Sequence, residues 1–135
     1  ADKSAYLLPL KHKGQVNRFS NWVYRREDVL KRHEIFDGLK SGGIMDFDYY
    51  GQITPKYIFS GQDIPDDTAA AAFAVGYTCD KGYCSGLICG SYRFGSGWFT
   101  INSLKILENI DNNPAADRLL MNLIAYSAGK IKESR

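Results

Sequence analysis

The apolar and polar positions of the second half of the chain predict three consecutive strands joined by tight turns. The apolar segment Ala69–Cys79 ends in Phe, Val, Tyr and Thr, residue types that favour a strand over a helix. Ser85–Phe94 has the same strand-like composition, and Trp98–Ile106 alternates apolar and polar residues as a strand does. Between them, Asp80–Tyr83 and Gly95–Gly97 contain the residues of tight turns.

The last element of the pattern is a helix, predicted over Pro114–Ala128. Asn113 is a suitable N-cap, and Pro114 stands in the first turn, where proline is tolerated. Apolar residues then recur at three- and four-residue spacing, which gives the helix one apolar face. These residues are Ala116, Leu119, Leu120, Leu123 and Ile124. Gly129 is predicted to end the helix before a charged tail.

The first half of the chain gives weaker patterns. Tyr6–Leu10 is predicted as an edge strand, since Pro9 limits its pairing. Arg25–Leu39 carries apolar residues that fit one face of a helix. Ile44–Tyr50 and Tyr57–Phe59 are predicted as short strands.

Together these elements predict one α/β domain over residues 1–135. A mixed sheet contains the hairpin Ala70–Phe94 and the strand Trp98–Ile106, and the helix packs its apolar face on that sheet. Hydrophobic residues make up 44% and aromatic residues 13% of the chain, so a folded domain is expected and disorder is not.

The charge pattern indicates neither a nucleic acid partner nor a membrane. The net charge is +2, and the early basic residues are interrupted by Glu27 and Asp28, which favours a solvated surface. No apolar run approaches the roughly 18–20 residues that span a bilayer, so membrane insertion is not expected. The chain begins with Ala1 and not Met, which indicates a processed chain or a piece of a larger protein.

The segment Gly82–Gly86 (GYCSG) has the form of a nucleophile elbow with Cys84 as its thiol. Such an elbow requires a strand that leads directly into a helix at the cysteine. Here a turn precedes Cys84 and a strand-like segment follows it, and the two histidines, His12 and His33, lie far upstream. We therefore interpret the motif as part of a hairpin and predict no catalytic residue and no cofactor. A cysteine-dependent amidotransferase-like enzyme remains an alternative.

The spacing of the cysteines predicts a disulfide pair. Cys79 and Cys84 flank a four-residue turn, so in a simple hairpin they face each other across the two strands. We expect this pair to be oxidised if the protein is exported, and Cys89 to be a small buried apolar residue. The intervals between the cysteines, with no histidine nearby, do not fit a zinc site, and no metal site is predicted.

Several aromatic residues are candidates for a carbohydrate-binding surface. Tyr49, Tyr50 and Trp98, with Asp46, form the predicted site, because exposed aromatic rings stack on sugars. The alternative is that these rings pack in the core. Asp46 and Asp48 would share one face of the predicted strand, and we interpret them as surface acids more readily than as a catalytic pair.

Three segments resemble a known family. They are HEIFDGL at His33–Leu39, GIMDFDYY at Gly43–Tyr50 and NPAADRLLMNLIAY at Asn113–Tyr126, together with a glycine turn before a strand ending at Leu104. With them the chain resembles the C-terminal accessory domain of bacterial family-two glycoside hydrolases of the β-galactosidase type. That domain is similar to the later part of a class I glutamine amidotransferase-like domain, which has a flavodoxin-like α/β fold.

The resemblance implies a role in a hydrolase of carbohydrate metabolism. No catalytic residue carries over, since neither the amidotransferase nucleophile with its His and Glu partners nor the hydrolase carboxylates find a match. We therefore expect a non-catalytic accessory domain whose partner is the catalytic domain of the parent hydrolase, with carbohydrate and a second copy of the chain as further candidate partners. A carbohydrate-binding module is the alternative. The resemblance and the cysteine pair favour a periplasmic or secreted location over a cytoplasmic one.

Overall fold

Eight strands form one sheet in the computed structural model of the chain, which describes residues 3–4, 8–19, 25–76, 79 and 81–133. The strands are β1 Lys3–Ser4, β2 Lys13–Asn17, β3 Glu27–Leu30, β4 Gly43–Ile44, β5 Ile58–Gln62, β6 Asp67–Val75, β7 Tyr83–Phe94 and β8 Gly97–Asn102. Their order across the sheet is β1-β2-β5-β7-β6-β3-β4, and β8 pairs with β7. Within these residues two α-helices accompany the sheet, the single turn α1 Phe47–Tyr50 and the long α2 Pro114–Glu133.

Strand β7 organises the sheet because it pairs with three other strands. Along one edge it meets β6, from Val75 opposite Tyr83 to Asp67 opposite Ser91. Its other edge is shared by β5, which meets it at Leu87, and by β8, which begins its pairing at Cys89. The predicted succession of three strands in the second half is confirmed, with shorter bounds for β6 and β8.

Every strand pairing among the described residues is antiparallel. The chain is therefore an α/β protein in the general sense, with an antiparallel sheet and one long helix. Flavodoxin-like domains are built on parallel strands joined by helical crossovers. The predicted mixed sheet is therefore wrong for the described strands, which pair only antiparallel. The flavodoxin-like fold is not confirmed.

The predicted C-terminal helix is confirmed, but it continues past its predicted end. The side chain of Asn113 accepts a hydrogen bond from the backbone N of Ala115 at 2.9 Å, as an N-cap does. Gly129 lies within the helix, which ends at Glu133. Glycine costs a helix interior only about 1 kcal/mol relative to alanine, and packing of Lys130 on the rings of Trp98 and Tyr126 stabilises the last turns.

The main core lies between the sheet and α2. Helix residues Ala116, Leu119 and Tyr126 are buried together with sheet residues such as Ala70 and Ile88. A second, smaller cluster occupies the opposite face of the sheet; its buried members are Leu87, Tyr92 and Ile101. Successive side chains of a strand point to opposite faces, so Leu87 belongs to the second cluster and Ile88 to the main core. A register irregularity between Leu87 and Cys89 then brings Tyr92 to the same face as Leu87.

The helix predicted over Arg25–Leu39 is wrong. The segment forms strand β3, then a 3₁₀ turn over Glu34–Phe36 whose Ile35 and Phe36 are buried. Strand β3 pairs with β6 on one side and β4 on the other. Pairing with strands distant in the sequence therefore decides the conformation here, and local periodicity does not.

Ile44–Tyr50 is not a strand beyond its first residue. Asp46 is the N-cap of α1, and its side chain accepts a hydrogen bond from the backbone N of Tyr49 at 2.8 Å. Asp48 lies in the first turn of that helix. The two carboxylates therefore do not alternate along a strand. Tyr57–Phe59 is strand in part, since β5 begins at Ile58.

The early charged segment is not simply a solvated surface. Asp28 is buried, and its side chain forms an ion pair with Arg26 at 2.7 Å, with the two side chains 7% and 8% exposed. Of the predicted strand Tyr6–Leu10, residues 6 and 7 lie outside the described residues, and residues 8–10 form no strand.

Candidate functional site

A pocket opens between strand β8 and the C-terminal end of α2. Its volume is about 480 Å³, within the range of small-molecule sites. Its main lining residues are Trp98, Phe99, Thr100, Ser127, Lys130 and Ile131. The pocket thus combines the ring of Trp98, an aliphatic side chain, hydroxyl groups and a cation, whereas the ring of Phe99 stacks on Tyr92 on the other face of the sheet.

The ring of Trp98 lines this pocket and lies close to two cations. The Nζ atom of Lys130 is 4.6 Å from the ring centroid, and the guanidinium carbon of Arg93 is 5.2 Å from it. Strand pairing places Arg93 directly opposite Trp98. Helix α2 continues past Gly129, and this brings Lys130 to the ring. This arrangement suits a ligand with an apolar ring face and anionic or hydroxyl substituents.

A cluster of polar side chains borders the pocket and is centred on Asp67. Its Oδ2 atom accepts hydrogen bonds from the hydroxyl of Tyr126 at 2.8 Å and from Nε2 of His33 at 3.1 Å. The Nζ atom of Lys130 lies 3.9 Å from the same oxygen. Lys130 therefore connects the Asp67 cluster to the Trp98 pocket.

The hydrogen bonds of His33 determine what its ring can do. Nδ1 accepts a hydrogen bond from the backbone N of Ile35 at 3.2 Å, so Nε2 carries the proton that is donated to Asp67. Both ring nitrogens are thus engaged within the fold. The imidazole positions the loop before β4 against β6, and its one acceptor lone pair is occupied by the backbone N–H of Ile35, so it is not placed to act as a general base.

The Asp67 carboxylate is held in its ionised form. Burial opposes ionisation, but the hydrogen bonds from Tyr126 and His33 and the nearby charges outweigh it, and the pKa of Asp67 lies below its usual value. An ionised carboxylate at this place balances the cation of Lys130 next to the pocket. The cluster is therefore suited to orienting Lys130, and less to giving up or taking a proton.

The predicted carbohydrate-binding residues lie on two elements and differ in exposure. Asp46 caps α1 and bonds Lys40 at 2.7 Å, which holds the pKa of this exposed carboxyl below its usual value. The ring of Tyr50 is buried and its hydroxyl donates to the backbone O of Lys40, whereas Tyr49 is partly exposed. Trp98 lies on β8 and packs with Lys130 and Arg93.

A disulfide closes the end of the hairpin formed by β6 and β7. Cys79 and Cys84 are joined by a disulfide with their Cα atoms 5.5 Å apart. Cys84 is opposite Ala74 in the strand pairing, and Cys79 lies in the connection after β6, so the bond closes the hairpin end and does not link two opposed strand positions. No helix begins at Cys84, which is the second residue of β7.

Burial raises the pKa of the Cys89 thiol to about 12, so this thiol is unreactive near neutral pH.

The described part of the chain offers no cluster of three or more side chains that could hold a metal ion. Within the same residues, no helix has both the length and the apolar character needed to cross a membrane.

Sequence reasoning identified Trp98 but missed the side chains around it. Tyr126 and Lys130 are spaced like neighbours on one helix face, which would have been a usable signal. Asp67 meets residues 34 and 59 positions away, and nothing local in the sequence marks such contacts.

The chain matches no protein-family model, no curated protein and no solved structure.

Proposed function

We propose that the chain is a non-catalytic accessory domain of a glycoside hydrolase of the β-galactosidase type, and that it packs against the catalytic domain of that enzyme. The observation that carries this proposal is an exposed apolar strip on the hairpin of β6 and β7. It consists of Phe73, Val75 and Tyr83, which are 51%, 62% and 70% exposed. The HEIFDGL and NPAADRLL segments supply the choice of family; the antiparallel sheet gives no support to the glutamine amidotransferase-like part of the resemblance.

The strip is continuous because of the strand register. Val75 and Tyr83 are directly opposed, and Phe73 lies two residues along the same face of β6. Beside it, a groove of about 260 Å³ runs towards Ile64, which is 91% exposed. A contiguous apolar patch exposed on a protein surface is typical of a site that binds another molecule.

The non-catalytic part of the proposal is supported by the partners of the nucleophile and base candidates. His12 bonds Asp63 at the surface and His33 bonds Asp67 below α2, while Cys84 is held by Cys79. Because its sulfur is in the disulfide, Cys84 has no free thiol to act as a nucleophile, which disfavours the amidotransferase alternative. A disulfide also favours an exported protein.

The test uses the reading frame that encodes the chain. We expect it to encode a carboxylate-bearing barrel as well, and the separately produced barrel to bind this chain. The double variant Phe73→Lys/Val75→Lys should weaken that binding at least about tenfold, which is 1.4 kcal/mol, because two charges would be buried in an apolar contact.

Leu107→Lys is the control, since Leu107 is 77% exposed and lies outside the strip, and it should leave the affinity unchanged. A reading frame without a hydrolase barrel, or equal binding by the strip variant and the wild type, would overturn the proposal.

The Trp98 pocket favours a second candidate function, the binding of a carbohydrate with acidic substituents. We expect uronate-containing oligosaccharides to bind with measurable heat in titration calorimetry, and Trp98→Ala to remove that heat. Tyr83→Ala is the matched control, because Tyr83 is an exposed aromatic residue of β7 outside the pocket lining. Wild-type protein that gives no heat with acidic or neutral oligosaccharides contradicts this function.

A further inference from the structure

Helix α2 has a second apolar face that the domain does not cover. Met121, Ile124 and Ile131 are 63%, 56% and 58% exposed, and the small residues Ala125 and Ala128 between them are exposed too. At 100° per residue these five positions fall on the side of the helix opposite Leu119 and Tyr126, which face the core. Ile131 is at the edge of this side and also lines the Trp98 pocket. We call these five residues the outer α2 face.

The outer α2 face is uncharged along its length and carries opposite charges at its two ends. No charged residue occurs from Leu119 to Gly129. Asp117 lies on the same side one turn before Met121, with its Oδ1 atom accepting from the backbone N of Asp111 at 2.9 Å. Lys132 lies on that side at the other end and is exposed.

We propose that two copies of the chain associate through the outer α2 face, with the two helices antiparallel about a two-fold axis. This inference uses a different face from the apolar strip of β6 and β7 and does not depend on the hydrolase assignment. A two-fold contact must be self-complementary, because each surface meets its own copy. The order of residues on this face has that property.

Self-complementarity appears when the axis is placed between Ile124 and Ala125. Equal steps in both directions then bring Ile124 level with Ala125 and Met121 level with Ala128, so that a large side chain meets a small one at these two levels. Ile131 comes level with Arg118, whose guanidinium donates to the backbone O of Asp37. One further helical turn in each direction brings Asp117 of each copy near Lys132 of the other. A parallel arrangement would instead place like residues together, Asp117 beside Asp117 and Lys132 beside Lys132.

The opposed charges also decide between a second copy and an unrelated apolar partner. An uncharged face alone would accept many helices, but acidic and basic ends at equal distances from one centre match their own reversed copy. Antiparallel alignment in addition brings the helix dipoles into a favourable orientation. A single helix pair makes a small interface, below about 1,200 Å², which is typical of reversible association.

Cysteine cross-linking tests the geometry directly. In the Ala125→Cys variant the new thiols of two copies meet beside the axis, and mild oxidation should yield a disulfide-linked dimer on a non-reducing gel. Ser127→Cys is the matched control, because Ser127 is exposed on the same helix but lies about 160° around the axis. We expect linkage at Ala125 at least about tenfold faster than at Ser127, whereas equal rates would overturn the proposal.

A charge exchange tests the orientation independently of cross-linking. Asp117→Lys or Lys132→Asp alone should weaken the dimer in sedimentation equilibrium, because like charges then meet across the axis. The double exchange should restore the association, even though Asp117→Lys also removes the bond to Asp111. A monomer mass at every concentration for the wild type, or no restoration by the double exchange, would overturn the inference whatever the outcome of the hydrolase test.

Discussion

Arg26→Met is expected to lower the free energy of unfolding by about 3–5 kcal/mol, because it leaves a buried carboxylate without its partner. The guanidinium of Arg26 makes two bonds to Asp28, Nε to Oδ1 at 2.7 Å and Nη2 to Oδ2 at 3.2 Å. It also donates to the backbone O atoms of Arg18, Pro55 and Lys56. The substitution therefore removes the ion pair and three backbone contacts between segments that are far apart in the sequence.

Urea unfolding followed by circular dichroism measures this effect. Arg25→Met is the matched control, since Arg25 is the preceding arginine and is exposed; its expected change is within about 0.5 kcal/mol. The double variant Arg26→Met/Asp28→Leu should recover part of the loss, because no unpaired charge remains. Equal urea midpoints for Arg26→Met and Arg25→Met would contradict this prediction and would show that the Asp28 carboxylate is solvated.

Removal of the Cys79–Cys84 bond is expected to cost about 2 kcal/mol, the loop-closure entropy of a short loop in the unfolded chain. The double variant Cys79→Ala/Cys84→Ala should show this loss in urea unfolding without reductant. A reductant should lower the stability of the wild type by a similar amount and leave that of the variant unchanged, which makes the variant its own control.

Thiol titration of the denatured, unreduced protein provides a second measurement on the same bond. We expect one reactive thiol, that of Cys89, and three after reduction, since the chain has three cysteines. Three thiols before reduction would contradict the disulfide and would return Cys84 to the list of candidate nucleophiles.

The sequence predicted the cysteine pair but not the buried Arg26–Asp28 ion pair. The cysteine pair followed from spacing alone, although the sequence placed Cys79 across the strand from Cys84 and the structure places it in the connection. The Arg26–Asp28 pair was predicted as solvated surface. Arginine and aspartate are mostly exposed in proteins, so only the packing of Pro55 and Lys56 over this segment shows that the pair is buried.

In the Trp98 pocket, too, the sequence predicted one residue and the tertiary structure supplied its neighbours. Trp98 was identified from its type and its position on a predicted strand. Its cationic neighbours come from β7 and from the end of α2, and Lys130 reaches the ring only because the helix continues past Gly129. Tyr50 was predicted at the same site, but packing against the loop of Lys40 buries it.

By itself the sequence determined the elements whose signals are local: the C-terminal helix with its Asn113 cap, the hairpin of β6 and β7, and the turn before β8. Residues within a few positions of one another decide such elements, through periodicity, capping and turn chemistry. Only the tertiary structure decided that residues 27–30 are a strand, that the sheet is antiparallel, and that Asp67 gathers His33 and Tyr126 from 34 and 59 positions away. These contacts depend on which distant segments meet and exclude water, and no short window of the sequence contains that information.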